Sequence, residues 1–244
     1  MSIWQAIVLA VIQGVAEFLP ISSSGHLVIV QKLMGLSTPP VAFDIWLHVA
    51  TLGAIFWWLG RSLKLSISSW KLVIVGSIPA GVAGILIQPY LENIFNSLTV
   101  VGAGLLVTGI VLLATKFGNK NQLLGYKTAL LIGAAQAVAI LPGVSRSGST
   151  IATALMLGVS RQEAMRFSLL LAVPAILGAQ ALEIDNLFNN GTSLEINIVG
   201  FAVAFMVGLA ALQFLSKILQ NKKLRYFGWY CLIVGGVILF LGGK

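Results

Sequence analysis

Two short segments hold most of the residues that could do chemistry. The first is Gln13-Gly14-Val15-Ala16-Glu17-Phe18-Leu19-Pro20-Ile21-Ser22-Ser23-Ser24-Gly25-His26, and the second is Leu141-Pro142-Gly143-Val144-Ser145-Arg146-Ser147-Gly148-Ser149-Thr150. In each, a hydroxyl-rich run precedes an apolar stretch, which places Ser22, Ser24 and Gly25, or Ser145, Ser147, Gly148 and Thr150, at a helix start with its free backbone N–H groups. Helix starts favour anions, and Arg146 adds a guanidinium able to bridge two phosphate oxygens. Glu17 is the only acid in the first 43 residues and is flanked by apolar neighbours. A carboxylate there is costly unless it is paired, protonated or used. His26 follows Ser23 by three residues, close enough on a helical turn to act on the hydroxyl, or on a water beside it, as base or acid.

Each feature has a plainer reading. The serines could only cap helices, and Glu17 could be a structural partner for Arg146. Hydroxyl clusters in two places, one with an arginine and the other with Glu17 and His26 in the same segment, favour a functional site. Around this set stand weaker candidates. Asp44 and His48 share a helix face and could complete a cavity or bind a cation, or form an interfacial pair. Gln13 lies one turn before Glu17 and could hydrogen-bond it or ligate a metal weakly, while Gln136 reads as a structural hydrogen-bonder. One carboxylate and one amide make a thin metal site, although Mg²⁺ commonly completes its shell with waters and substrate phosphates. No P-loop, GxGxxG, CxxC or HExxH motif is present.

The elements that must position these residues are membrane elements. Of the 244 residues, 58% are hydrophobic and 9% charged, with a mean hydropathy of +0.97, too little polar surface for a water-soluble globule. The net charge of +8 reads as cytoplasmic loops in such a chain, so nucleic acid is not an expected partner. The lone Cys231 reads as packing, and the uncharged N-terminus does not resemble a cleavable signal peptide. Uncharged runs at 72–91, 93–115, 196–216 and 226–243 predict clean spans, and 42–60 and 164–183 predict two more. Residues 3–34 and 128–158 are instead broken by the two segments above and predict re-entrant helix-loop-helix hairpins, their non-helical backbone surrounding a polar cavity. The expected fold is therefore an all-α polytopic membrane protein, with six transmembrane helices and two re-entrant hairpins in a single domain, 1–244.

Charge gives the orientation. Loops 61–71, 116–127, 161–166 and 217–225 hold 12 of the 15 basic residues and should be cytoplasmic, which puts both termini outside. Shifting the chain on itself by 123 residues aligns 13–26 with 136–149 at six of 14 positions. Each half then holds one hairpin and three spans, and an odd number of spans inverts the second half, so repeat 1 (about 1–120) and repeat 2 (about 121–244) form an inverted-topology repeat. The hairpins enter from opposite sides and their tips meet near the midplane. Where the copies differ, Glu17 faces Ile140, Ser23 faces Arg146 and His26 faces Ser149, so a shared site would be asymmetric.

At the two segments quoted above, the chain resembles the undecaprenyl-diphosphatase family, integral membrane phosphatases of the bacitracin-resistance type. The resemblance implies hydrolysis of a C55 polyprenyl diphosphate to its monophosphate and inorganic phosphate, recycling a lipid carrier for the cell wall in the bacterial cytoplasmic (inner) membrane and giving bacitracin tolerance. It places the acidic motif on Gln13 and Glu17, the Ser-rich motif on Ser22, Ser23 and Ser24 with His26, and the phosphate-binding arginine on Arg146 beside Ser145. It also implies a divalent cation, Mg²⁺ or Ca²⁺. Many relatives carry Glu where this chain has Gln13, which weakens a two-carboxylate metal site. The combined expectation has Glu17, Ser23, His26 and Arg146 as catalytic residues. A polyprenyl-phosphate flippase or transporter would also use inverted repeats, but it needs no nucleophile beside a base. An intramembrane serine protease would leave Arg146 unexplained. The substrate lipid and membrane lipids are the expected partners, and the residues leave the oligomeric state, including a homodimer, open.

Overall fold

Long uncharged runs placed in lipid can satisfy their backbone polar groups only within their own helices. A computed structural model, describing residues 1–36, 41–62, 67–115, 122–182 and 192–242, is helical to that degree, with no strand among the described residues. The helices are α1 (Ile3–Ala16), α2 (Ser23–Leu33), α3 (Val41–Ser62), α4 (Ile67–Ile87), α5 (Leu91–Phe95), α6 (Leu98–Ala114), α7 (Tyr126–Val138), α8 (Arg146–Met156), α9 (Arg161–Leu182), α10 (Leu194–Gln220) and α11 (Arg225–Gly242). Serine N-caps open six of them: Ser2, Ser22, Ser97, Ser145, Ser160 and Ser193 each accept a hydrogen bond from a first-turn N–H. Gly35 and Gly158 follow the last turns of α2 and α8 with φ of +68° and +88°, the left-handed exit that glycine supplies.

Five stretches are long and apolar enough to cross a membrane: Ala42–Gly60, Trp70–Tyr90, Arg161–Leu182, Leu194–Gln220 and Arg225–Gly242. The expected span 93–115 is not one helix. Ser97 accepts from the Val100 N–H and starts α6 at Leu98, leaving 17 apolar residues, or about 25 Å at 1.5 Å per residue. Asn96 and Ser97 interrupt the run because a serine immediately before an apolar stretch competes well for the cap. Residues 3–33 and 126–156 each form two helices, of 14 and 11 and of 13 and 11 residues, none long enough to span alone.

Packing exchanges the two halves. The main pairs are α1 with α10, α7 with α4, and α6 with α11, while α3 also lies on α10 and α9 on α4. Small residues allow these approaches. A Cβ on Gly133 of α7 would lie 2.0 Å from the Gly76 carbonyl oxygen of α4, and one on Gly14 of α1 would lie 2.8 Å from the Ala204 carbonyl oxygen of α10. The core gathers Phe18, Leu105, Leu112, Phe167 and Leu212 around the two breaks. Outside it, Ile74, Ile78, Val82, Ile85 and Leu86 form an exposed row on α4, an apolar face suited to lipid. Lys64, Lys116, Lys120, Glu183, Asp185 and Lys244 of the charge pattern lie outside the described residues, as do the side chains of Arg61 and Glu92.

Candidate active site between the two helix breaks

The breaks at residues 17–22 and 139–145 touch each other. Gly25 faces Gly143, where a Cβ would come within 3.0 Å of Cα, and Gly148 faces the Pro20 ring at 3.2 Å. The Ser147 hydroxyl donates to the Leu19 carbonyl at 3.3 Å. Each break is also fastened to the last helix of the other half. Thr108 Oγ1 on α6 donates to the Gly143 carbonyl at 2.9 Å and Cys231 Sγ on α11 donates to the Pro20 carbonyl at 3.6 Å. Thr108 and Cys231 are 123 residues apart, as are Pro20 and Gly143.

Glu17 is the hub. One carboxylate oxygen pairs with the Arg146 guanidinium across the contact. The other accepts the Ser23 hydroxyl at 2.6 Å and the Gln13 amide Nε2 at 3.2 Å, with His48 Nε2 at 3.9 Å. Glu17 and Gln13 are buried, so this carboxylate spends its charge on named partners. Gln13 Oε1 is buried without a hydrogen-bond partner. That orphaned oxygen beside a carboxylate suits a hard cation. No group of three His, Cys, Asp or Glu that could hold an ion occurs among the described residues, so the donor set fits only a cation that takes most of its oxygens from substrate and water.

The remaining candidates separate by exposure. Ser23, Ser24, His26, His48 and Arg146 are partly exposed, whereas Ser22, Gly25, Ser145, Ser147, Gly148 and Thr150 are buried. Ser22 and Ser145 cap their helices, accepting from Gly25 and Gly148 N–H at 3.3 and 3.0 Å. Thr150 is spent on the Arg146 carbonyl at 2.8 Å and on Ser168 Oγ at 2.7 Å. It holds α8 against α9. Ser22 has φ of +71°, a region where a serine is strained, while its counterpart Ser145 has φ of −73°. The copies thus differ in backbone at a position where both carry serine.

His26 is not joined to Ser23. Its Nδ1 lies 2.8 Å from the Ser22 carbonyl and its Nε2 lies 2.8 Å from the Tyr230 hydroxyl, and the Ser23 proton is held by Glu17 instead. Asp44 accepts both hydrogen bonds from Gln31 Nε2, at 3.1 and 2.9 Å, and its backbone carbonyl receives His48 Nδ1 at 2.8 Å. Asp44 therefore supports His48, which faces Glu17. Gln136 is buried with neither amide atom paired and touches none of these groups by hydrogen bond.

The family model described as "Bacitracin resistance protein BacA" matches residues 6–237. The chain belongs to the BacA family. Relatives named "Undecaprenyl-diphosphatase" include one from Halothermothrix orenii, 43% identical over 258 aligned positions covering 100% of this chain and 99% of the relative. Another, from Desulforapulum autotrophicum, is 38% identical and covers 99% of both chains. One from Korarchaeum cryptofilum is 38% identical over 99% of this chain and 100% of its own. In this BacA-family chain, sequence reasoning missed Tyr230, Ser168, Thr108 and Gln31. Thr108 alone left a signal, as the repeat counterpart of the one cysteine.

Proposed function

We propose that this chain hydrolyses undecaprenyl diphosphate to undecaprenyl phosphate and inorganic phosphate, in keeping with the names of its relatives. The observation that carries the reading is the Ser23 hydroxyl held at 2.6 Å by Glu17, the carboxylate that Arg146 pairs with from the other half. That is a nucleophile, a base and an anion clamp in one place.

The chemistry follows from those contacts. The terminal phosphoryl group sits against Arg146, whose two ends can each meet an oxygen. Ser23 Oγ attacks that phosphorus, Glu17 takes the hydroxyl proton, and the anhydride P–O bond breaks with its electrons leaving on undecaprenyl phosphate. Water then attacks the phosphoserine, and phosphate departs as Ser23 recovers its proton. His26, on the exposed side of α2, serves a phosphate oxygen or the attacking water. Gln13 Oε1 and Glu17 would hold a divalent cation, Mg²⁺ or Ca²⁺, that neutralises diphosphate charge when bound. Bacitracin tolerance follows if the product returns to the carrier pool. A transport role has less support, since a translocation path does not need Ser23 aimed at a carboxylate.

In the same reading, α6 is a sixth span, the paired helices 3–33 and 126–156 are re-entrant, and the halves are inverted copies. Support comes from contacts that recur at a shift of 123 residues: Ser22 with Gly25 and Ser145 with Gly148, Gly25 with Gly143 and Gly148 with Pro20, Cys231 with Pro20 and Thr108 with Gly143. The tail stays in lipid of the cytoplasmic membrane, both termini face outward and the cavity opens to the outer side.

Purified protein in detergent should release inorganic phosphate from undecaprenyl diphosphate with Mg²⁺ present and lose that activity in excess EDTA. No release with the cation present overturns the reading. For orientation, Leu194→Cys and Lys222→Cys in a Cys231→Ala background should differ in whole cells, with only position 194 reacting with an impermeant thiol reagent. Labelling at 222 from outside inverts the topology.

A further inference from the structure

His26 reaches α11 through a contact that the phosphatase reading leaves unused. Its Nδ1 lies 2.8 Å from the Ser22 carbonyl oxygen. A carbonyl can only accept, so Nδ1 carries the hydrogen. In the neutral ring Nε2 is then the acceptor, and the Tyr230 hydroxyl 2.8 Å away donates to it. The two rings also lie nearly parallel, 12° apart with centroids at 5.7 Å. One side chain thus fixes both the hydrogen bonding and the plane of the imidazole.

The neighbouring contact makes this hold rigid. Cys231, the next residue, is buried and donates to the Pro20 carbonyl at 3.6 Å, so α11 is fastened to the first break immediately beside Tyr230. Tyr230 itself is 41% exposed. A residue bonded to Nε2 in this way decides in which tautomer and at what angle the imidazole is held.

We propose that Tyr230 is a positioning residue for the phosphatase site, holding His26 through its hydroxyl and stacked ring in one plane and one tautomer, with Nδ1–H on the Ser22 carbonyl and Nε2 accepting from Tyr230. The proposal rests on the phosphatase reading for its catalytic consequence and on the His26 geometry alone for the hold itself. Tyr230 acts through His26 and touches neither Ser23 nor Glu17 by hydrogen bond. It belongs to the second half of the chain, so it joins Arg146 as a contribution of that half to chemistry centred on the first.

The test is Tyr230→Phe, which keeps the ring and removes the hydroxyl. With wild-type phosphate release established, kcat should fall about tenfold, the worth of one orienting hydrogen bond, with KM within about twofold. In a His26→Ala background the same change should cost less than about twofold, because the two residues act as one unit. Unchanged kcat, or an equal loss in both backgrounds, overturns the proposal. A second readout does not need activity. The chain has two histidines, so ¹⁵N spectra of histidine-labelled protein contain two ring systems. Tyr230→Phe should move the Nε2 resonance of His26 and leave His48 in place. A His26 signal indifferent to the hydroxyl refutes the hold, whereas a wild-type protein without phosphatase activity but with a shifted signal refutes only the function assigned to the site.

Discussion

Ser23→Ala is expected to lower phosphate release by about a thousandfold or more, with little change in thermal stability. The contrast follows from what Ser23 touches. Its hydroxyl gives one hydrogen bond, to a Glu17 oxygen that also accepts from Gln13, so its loss leaves that oxygen partnered. The serine that caps α2 is Ser22, not Ser23. Catalysis has no such reserve, because Ser24 points its hydroxyl toward Ser22 at 3.4 Å, away from the carboxylate. Glu17→Gln should approach the same loss, since an amide cannot take the proton, and the double variant should be little worse than the poorer single one. Labelled phosphate should remain on wild-type protein after acid quench and be missing from Ser23→Ala. Full activity in Ser23→Ala would remove the nucleophile from the mechanism and leave Glu17 to activate water.

The parts of this site that could be read from residue types are those decided locally. A proline and a serine cluster inside an apolar run break a helix wherever the run is placed, so residues 17–22 and 139–145 were legible as breaks. A lone Glu17 and a lone Arg146 in apolar surroundings had to find partners, and they found each other. What the sequence hid depends on direction in space. His26 and Ser23 are three apart, which allows contact on a helix, yet α2 starts at Ser23 and turns the imidazole toward Ser22 and α11. Tyr230 is 204 residues from His26, and no periodicity within α11 marks it. Thr150 shares a segment with Arg146, but one helical turn carries its hydroxyl to Ser168 instead. The start of α6 was misplaced for a related reason: uncharged composition cannot tell a serine inside a helix from one that caps it, and Ser97 caps.

Arg146→Lys should reduce kcat/KM about a hundredfold, and Arg146→Ala about a thousandfold. The guanidinium has two engaged ends: Nη2 on Glu17, and Nη1 at 3.5 Å from the Ser168 carbonyl. A lysine ammonium can reach one of these places but cannot hold a planar fork between them. Stability separates the two roles this pair could have. Glu17 is 7% exposed, so Arg146→Ala strands a buried carboxylate and should cost about 3–5 kcal/mol. Adding Glu17→Gln to Arg146→Ala removes the stranded charge and should restore much of the thermal stability, measured as the midpoint in detergent. Activity should stay lost, because neither the clamp nor the base returns. If the arginine were only a structural counter-ion, the lysine variant would keep near-normal turnover once folded, and that result would refute the clamp. Arg146 comes from α8 and Glu17 from the end of α1, so the same measurement asks whether the two halves are joined by one charge pair that is both fastening and catalyst.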